Sequence, residues 1–141
     1  MNWLLDTDVI CQPAKSRGDK RVIAWLSREK ERCFTSAIVI AQLAYWVRSK
    51  DGAQREALQA WLQRLVKALG GRILGFNGSV AHVWADQEIL LEQHGQRMPV
   101  EDGYIAATAR RHGLTVATGN DKDFMRPGLK VFNPFKDLPK L

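Results

Sequence analysis

Cysteine is nearly absent from this 141-residue sequence: Cys11 and Cys33 are the whole supply, and they lack CxxC spacing. That excludes a disulfide framework and a thiolate metal site, and leaves two reduced packing residues. Histidine is almost as scarce, and His82, His94 and His112 form neither an HxH nor an HxxxH pair, so zinc is not expected. No apolar run is long enough to cross a bilayer. The opening Met1-Asn2-Trp3-Leu4-Leu5-Asp6 also lacks the basic region and apolar stretch of a secretory leader. A cytoplasmic protein without a membrane partner is therefore expected. Repeats, low-complexity tracts and linkers are missing too, so residues 1–141 read as a single domain around one core.

Acidic residues are the minority charge, 15 against 21 Lys and Arg, for a net charge of +6. That balance, with a pI near 9.6, favours a polyanionic partner. Apolar residues at 45% and charged ones at 26% exclude disorder.

Short apolar runs alternate with helical periodicity along the chain. Trp3-Leu4-Leu5 reads as a buried strand that delivers Asp6-Thr7-Asp8 to its carboxyl end, with a helix beginning near Val9. Asp19 to Glu31 spaces Val22, Ile23, Trp25 and Leu26 as an amphipathic helix. Cys33-Phe34-Thr35 is a second strand, and Ser36 caps a largely buried helix over 37–48. A further helix over 53–69 carries Leu58, Trp61, Leu62, Leu65 and Leu69 on one side and ends at Gly70-Gly71. A strand over 72–76 follows, then a helix capped by Asn77 that carries Val80, Val83, Trp84, Ile89, Leu90 and Leu91 and closes at His94-Gly95. Pro99 opens the next helix and Gly113 ends it before the strand 114–118; a last strand, 130–132, precedes a proline-rich tail. The pattern predicts an α/β fold, a short central parallel sheet with helices on its faces as an α/β/α sandwich, without disclosing the strand order. Trp25, Trp46, Trp61 and Trp84 fall on apolar helix faces, which suits core or subunit packing.

Three aspartates stand where elements meet: Asp6 ends the first strand, Asp102 lies in the opening turn of the helix after Pro99, and Asp123 follows the strand ending at Thr118. In a parallel sheet such positions converge on one crevice. Carboxylates brought together repel unless a cation joins them, and hard oxygen donors suit Mg²⁺ or Mn²⁺. A metal held this way orients water for attack on a phosphodiester. Taken singly, each Asp also suits a turn or helix cap. Asp6-Thr7-Asp8 after a strand is shared with haloacid-dehalogenase phosphatases, but Val9-Ile10 stands where that motif needs Gly-Thr.

Four segments together carry a resemblance: Leu4-Leu5-Asp6-Thr7-Asp8-Val9-Ile10; Thr35-Ser36-Ala37-Ile38; Asp102-Gly103-Tyr104-Ile105-Ala106-Ala107-Thr108-Ala109; and Thr118-Gly119-Asn120-Asp121-Lys122-Asp123-Phe124 with Asn133-Pro134-Phe135. In this order and spacing the chain resembles PIN domains of the VapC and FitB type. The resemblance implies a single PIN domain, a Mg²⁺-dependent endoribonuclease (Mn²⁺ also serving) that is the toxin of a toxin-antitoxin pair. It also implies a homodimer, an RNA substrate, a cognate antitoxin, and operator DNA bound only through that antitoxin. Asp6, Asp102 and Asp123 match the metal-site acids, Thr7 and Thr118 would orient carboxylates or water, and Asn120 would fix the loop carrying Asp123. Asp8 and Asp121 read as accessory acids, or equally as a helix cap and a turn residue.

Two positions depart from that pattern. The family's glutamate on the helix after Thr-Ser is Gln42 here, an amide of matching size that brings no charge. It fits a weakened natural site, a change that makes a toxic nuclease tolerable, or compensation by Glu101. Adjacent helical residues point in different directions, which favours the weakened site. Gly119 stands where relatives often carry a basic residue, so a phosphate contact falls to Arg48, Lys122 or Arg126, each of which also reads as solvated surface. The rival expectation is a catalytically silent PIN fold that acts only through its antitoxin and operator complex.

Overall fold

The computed structural model describes residues 1–138; residues 139–141, the end of the expected proline-rich tail, lie outside the described residues. Five parallel strands form one sheet: β1 (Trp3–Leu5), β2 (Cys33–Ser36), β3 (Ile73–Leu74), β4 (Thr115–Ala117) and β5 (Val131–Phe132), in the order β3-β2-β1-β4-β5. Trp3 lies beside Cys33 on one side and Thr115 on the other, and Leu5 pairs with Ala117. β1 and β4 are buried along their whole length, which is why they read as apolar runs without alternation. The edge strands β3 and β5 are half-buried two-residue pieces, shorter than the expected 72–76 and 130–132.

The helices are α1 (Thr7–Ile10), α2 (Lys20–Glu29), α3 (Ala37–Arg48), α4 (Gly52–Leu69), α5 (Gly78–Gln93), α6 (Val100–His112), α7 (Asp121–Phe124) and α8 (Pro134–Asp137). Their starts follow capping chemistry. Asp19 Oδ1 accepts from the Arg21 and Val22 amides, Ser36 Oγ from Ile38, and Asn77 Oδ1 from Val80. Gly113, at φ 66°, turns the chain out of α6 into β4. α3 is less buried than expected. The stripe Val39, Leu43 and Val47 is fully buried and Ile38, Ile40 and Trp46 pack half-buried beside it, while Ala41 is exposed and Tyr45 is 79% exposed. Ile89 of α5, also expected inside, is exposed, and the buried face there is Val80, Gln87 and Leu91.

The single-turn helices α7 and α8 were not expected. Phe124, fully buried, anchors α7, and Asn133 caps α8 through the Phe135 amide. Under the sheet, Trp3, Trp25 and Phe132 pack ring on ring, with centroids 4.9 to 5.5 Å apart. Among the described residues no helix is long and apolar enough to cross a membrane.

The order of the strands decides where a ligand can sit. The chain winds outward from β1 through β2 to β3, then returns to the other side of β1 with β4 and β5. The winding reverses between β1 and β4, and in open parallel sheets the crevice opens at the carboxyl ends of such a pair. Asp6 follows β1 there and Thr118 follows β4.

Candidate functional site

Asp6 is built into this crevice by both strands. Its amide donates to the Ala117 carbonyl at 2.9 Å, Oδ1 caps α1 by accepting from the Thr7 amide at 2.8 Å, and Oδ2 accepts from the Thr118 hydroxyl at 2.8 Å. Burial pushes its carboxyl above the ordinary range, although the bonds from Thr118 and Thr7 favour the ionised form. Two residues on, Asp8 Oδ2 accepts from the Gly119 amide at 2.9 Å, while its Oδ1 is buried without a partner. Burial and then the neighbouring Asp6 charge push the Asp8 carboxyl up to about 6.

Asp102 sits in the first turn of α6. Burial first, and then the charges of Asp6, Asp123, Glu101 and Asp8, push its carboxyl up to about 6. Asp123, on α7, accepts through Oδ2 from the Asn120 side-chain amide at 2.6 Å, and the Asn120 backbone amide donates to Thr118 Oγ1 at 3.0 Å. Thr118 and Asn120 thus link the two strand ends to Asp123. Gln42, on α3, accepts from the Thr7 hydroxyl and donates to Glu101 Oε2 at 2.6 Å.

A cleft of about 450 Å³ opens here, walled by Asp6, Thr7, Asp8, Gln42, Trp46 and Asn120, with Cys11 and Lys15 on the same wall as α1. Asp102 and Asp123 are not among its walls, yet Asp102 stands within electrostatic range of Asp6, Asp8, Glu101 and Asp123. Among the described residues, no three carboxylate, thiol or imidazole groups are close enough together to enclose a metal ion as they stand. The donor chemistry does fit a hard divalent cation. Five carboxylates share one region, two have raised pKa values partly through mutual repulsion, and one buried oxygen of Asp8 has no donor.

Asp8 reads from sequence as a possible cap, but Asp6 is the cap, and Asp8 is free to face the crevice. Cys11 and Lys15 also line the cleft; Lys15 is extended, past the end of α1 at Ile10, so no helical period marks it, and sequence reasoning missed both. Trp46 also faces the cleft, with its ring edge-on to Trp61 at 6.4 Å. Gly119 has a packing reason: a Cβ there would lie 2.6 Å from Asp8 Oδ2 and 2.9 Å from the Phe135 ring. A side chain at 119 requires Asp8 or the Phe135 ring to shift. The Arg126 guanidinium donates to the carbonyls of Gln96, Arg97, Lys122 and Met125, which holds it on that loop, and it is not among the walls of the cleft. His82, His94 and His112 are exposed, and both cysteines are free and buried.

A doubly wound parallel α/β sheet with acidic residues gathered at its switch point defines a small class of proteins. A PIN-domain family model matches residues 3–129. The chain belongs to the PIN-domain family. It is 39% identical over 137 residues to toxin FitB of Neisseria gonorrhoeae, covering 95% of this chain and 99% of that one. It is 35% identical over 136 residues to the VapC ribonuclease Y4jK of Sinorhizobium fredii, covering 94% and 97%. The solved structure of FitAB bound to an IR36 DNA fragment superposes with a TM-score of 0.88 at 35% identity, covering 94% of this chain and 95% of that chain.

Proposed function

We propose that this protein is a divalent-metal-dependent endoribonuclease and the toxin of a toxin-antitoxin pair. The observation that carries the reading is the set of carboxylates around the β1–β4 crevice, with Asp6 and Asp8 in its wall and Asp102 and Asp123 within electrostatic range, in a chain with net charge +6. The names of the FitB and VapC relatives support it.

Asp6, Asp102 and Asp123 hold the ion, and Asp8 adds charge beside them. Bound Mg²⁺ or Mn²⁺ supplies an oriented water and neutralises charge on the phosphodiester. The chain's own contribution is placement. Thr7 and Thr118 fix both oxygens of Asp6, and Asn120 fixes Asp123. Lys15, at the cleft, draws the RNA backbone toward the acids. The protein works in the cytoplasm as a homodimer, with exposed Tyr45 and Val100 available for subunit contact, and is silenced by an antitoxin through which it reaches operator DNA. FitAB bound to DNA supports that last assignment.

The test is RNA cleavage by antitoxin-free protein with Mg²⁺ or Mn²⁺, beside an EDTA control and the Asp102→Asn variant. Cleavage that EDTA and Asp102→Asn both abolish supports the reading; a parent-like Asp102→Asn enzyme sinks the site. The second reading, a silent PIN fold acting only through its complexes, is favoured by the neutral Gln42. It requires an inert parent.

A further inference from the structure

We propose that Glu101 is the fourth carboxylate directed toward the divalent cation, and that Gln42 is the residue that positions it. The proposal rests on the metal-site reading above and concerns how this chain completes that site.

The hydrogen bonds fix which way the Gln42 amide points. The Thr7 hydroxyl donates to its Oε1, so the Nε2 group is turned toward α6, where it donates to Glu101 Oε2 at 2.6 Å. Thr7 itself follows Asp6, whose Oδ1 its backbone amide caps. A continuous link therefore runs from the end of β1, through Gln42 on α3, to Glu101 on α6. An amide donating to a carboxylate is a strong, charge-assisted contact. It draws the Glu101 side chain across to α3, where it and Gln42 line a cavity with Ile38, Ala41, Tyr45 and Tyr104, and Gln42 also borders the cleft that holds Asp6 and Asp8.

Adjacent helical positions normally diverge, and this bond ties Glu101 to α3. A glutamate at position 42 would instead set two carboxylates at that 2.6 Å contact, so the amide at 42 and the acid at 101 are complementary partners. The negative charge stands one hydrogen bond away from position 42. Gln42→Glu alone is then expected to gain no metal affinity, whereas a site merely weakened at position 42 would gain it.

The experiment measures Mn²⁺ binding by the full-length protein without RNA, following free Mn²⁺ by electron paramagnetic resonance. Variants are Asp6→Asn, Glu101→Gln, Gln42→Glu and the exchange Gln42→Glu/Glu101→Gln, each checked for an unchanged fold by thermal melting in EDTA. Glu101→Gln should weaken Mn²⁺ binding roughly tenfold or more, Gln42→Glu should not tighten it, and the exchange should restore the parent affinity. If Asp6→Asn weakens binding while Glu101→Gln matches the parent, the metal site stands and the role of Glu101 falls. If the exchange variant stays as weak as Glu101→Gln, or Gln42→Glu alone binds tighter than the parent, the complementary pairing is overturned. A parent that binds no Mn²⁺ overturns this inference and the metal-site reading together.

Discussion

Replacing Asp102 by Asn should stabilise the metal-free protein while it disables the site. The Asp102 carboxyl is pushed up to about 6 from 3.8, first by burial and then by the Asp6, Asp123, Glu101 and Asp8 charges. The folded protein therefore holds this proton more tightly than the unfolded chain does. Stability from the group is fully present below about pH 4 and is lost as pH rises through about 6. At pH 7.5 the native state bears the whole cost of an ionised Asp102. A displacement of that size is about 3 kcal/mol at full value. The side chain is partly exposed, and solvent screening cuts this to about 1 kcal/mol. Asparagine keeps the shape and removes the charge. A chain of 141 residues unfolds with an entropy of about 0.3 kcal/mol per degree, so the variant should melt about 3 °C higher. The assay is thermal unfolding in EDTA at pH 7.5 and pH 4.5. The gain should be present at the first pH and largely gone at the second, where the parent carboxyl is already protonated in the fold. With saturating Mn²⁺ the order should reverse, since only the parent binds the ion well. An Asp102→Asn protein that melts below its parent at pH 7.5, or gains equally at both pH values, refutes the electrostatic account.

Gly119→Ala introduces a Cβ at 2.6 Å from Asp8 Oδ2 and 2.9 Å from the Phe135 ring, so Asp8 or α8 must shift. Overpacking of this kind costs about 1–3 kcal/mol, and urea unfolding should show the loss; a parent-like midpoint would mean the contact is not tight. Thr118→Val keeps the shape but strips the donor from Asp6 Oδ2 and the acceptor from the Asn120 amide. It should lower stability by about 1–3 kcal/mol and weaken Mn²⁺ binding. Unchanged binding by titration would show that Thr118 does not hold Asp6 for the ion.

How much of this was legible in the sequence depends on the range over which each feature is encoded. Ser36 and Asn77 declare themselves locally, because a capping side chain acts on an amide two or three residues away. The adjacency of β1 and β4 is encoded across more than a hundred residues of chain, and parallel pairing leaves no local mark, so the strand order was invisible. One-turn helices such as α7 and α8 are shorter than any period that could reveal them. The burial of α3 was overestimated for a related reason: its apolar residues run around the helix, and only its packing against α1, α4, α6 and β2 decides that Val39, Leu43 and Val47 are the buried ones.

Glu101 shows the same limit at the site. Judged by backbone direction alone, it diverges from Asp102, and that is correct for a short side chain. Glutamate has three side-chain torsions, however, and its final direction is set by a donor on another helix, Gln42, fifty-nine residues away. A charge missing at one position and present at another can only be matched once the fold has brought α3 and α6 together. Departures from a family pattern are therefore best judged in pairs that touch. Here the neutral amide at 42 and the carboxylate at 101 form such a pair, and the charge at the crevice is read from both positions together.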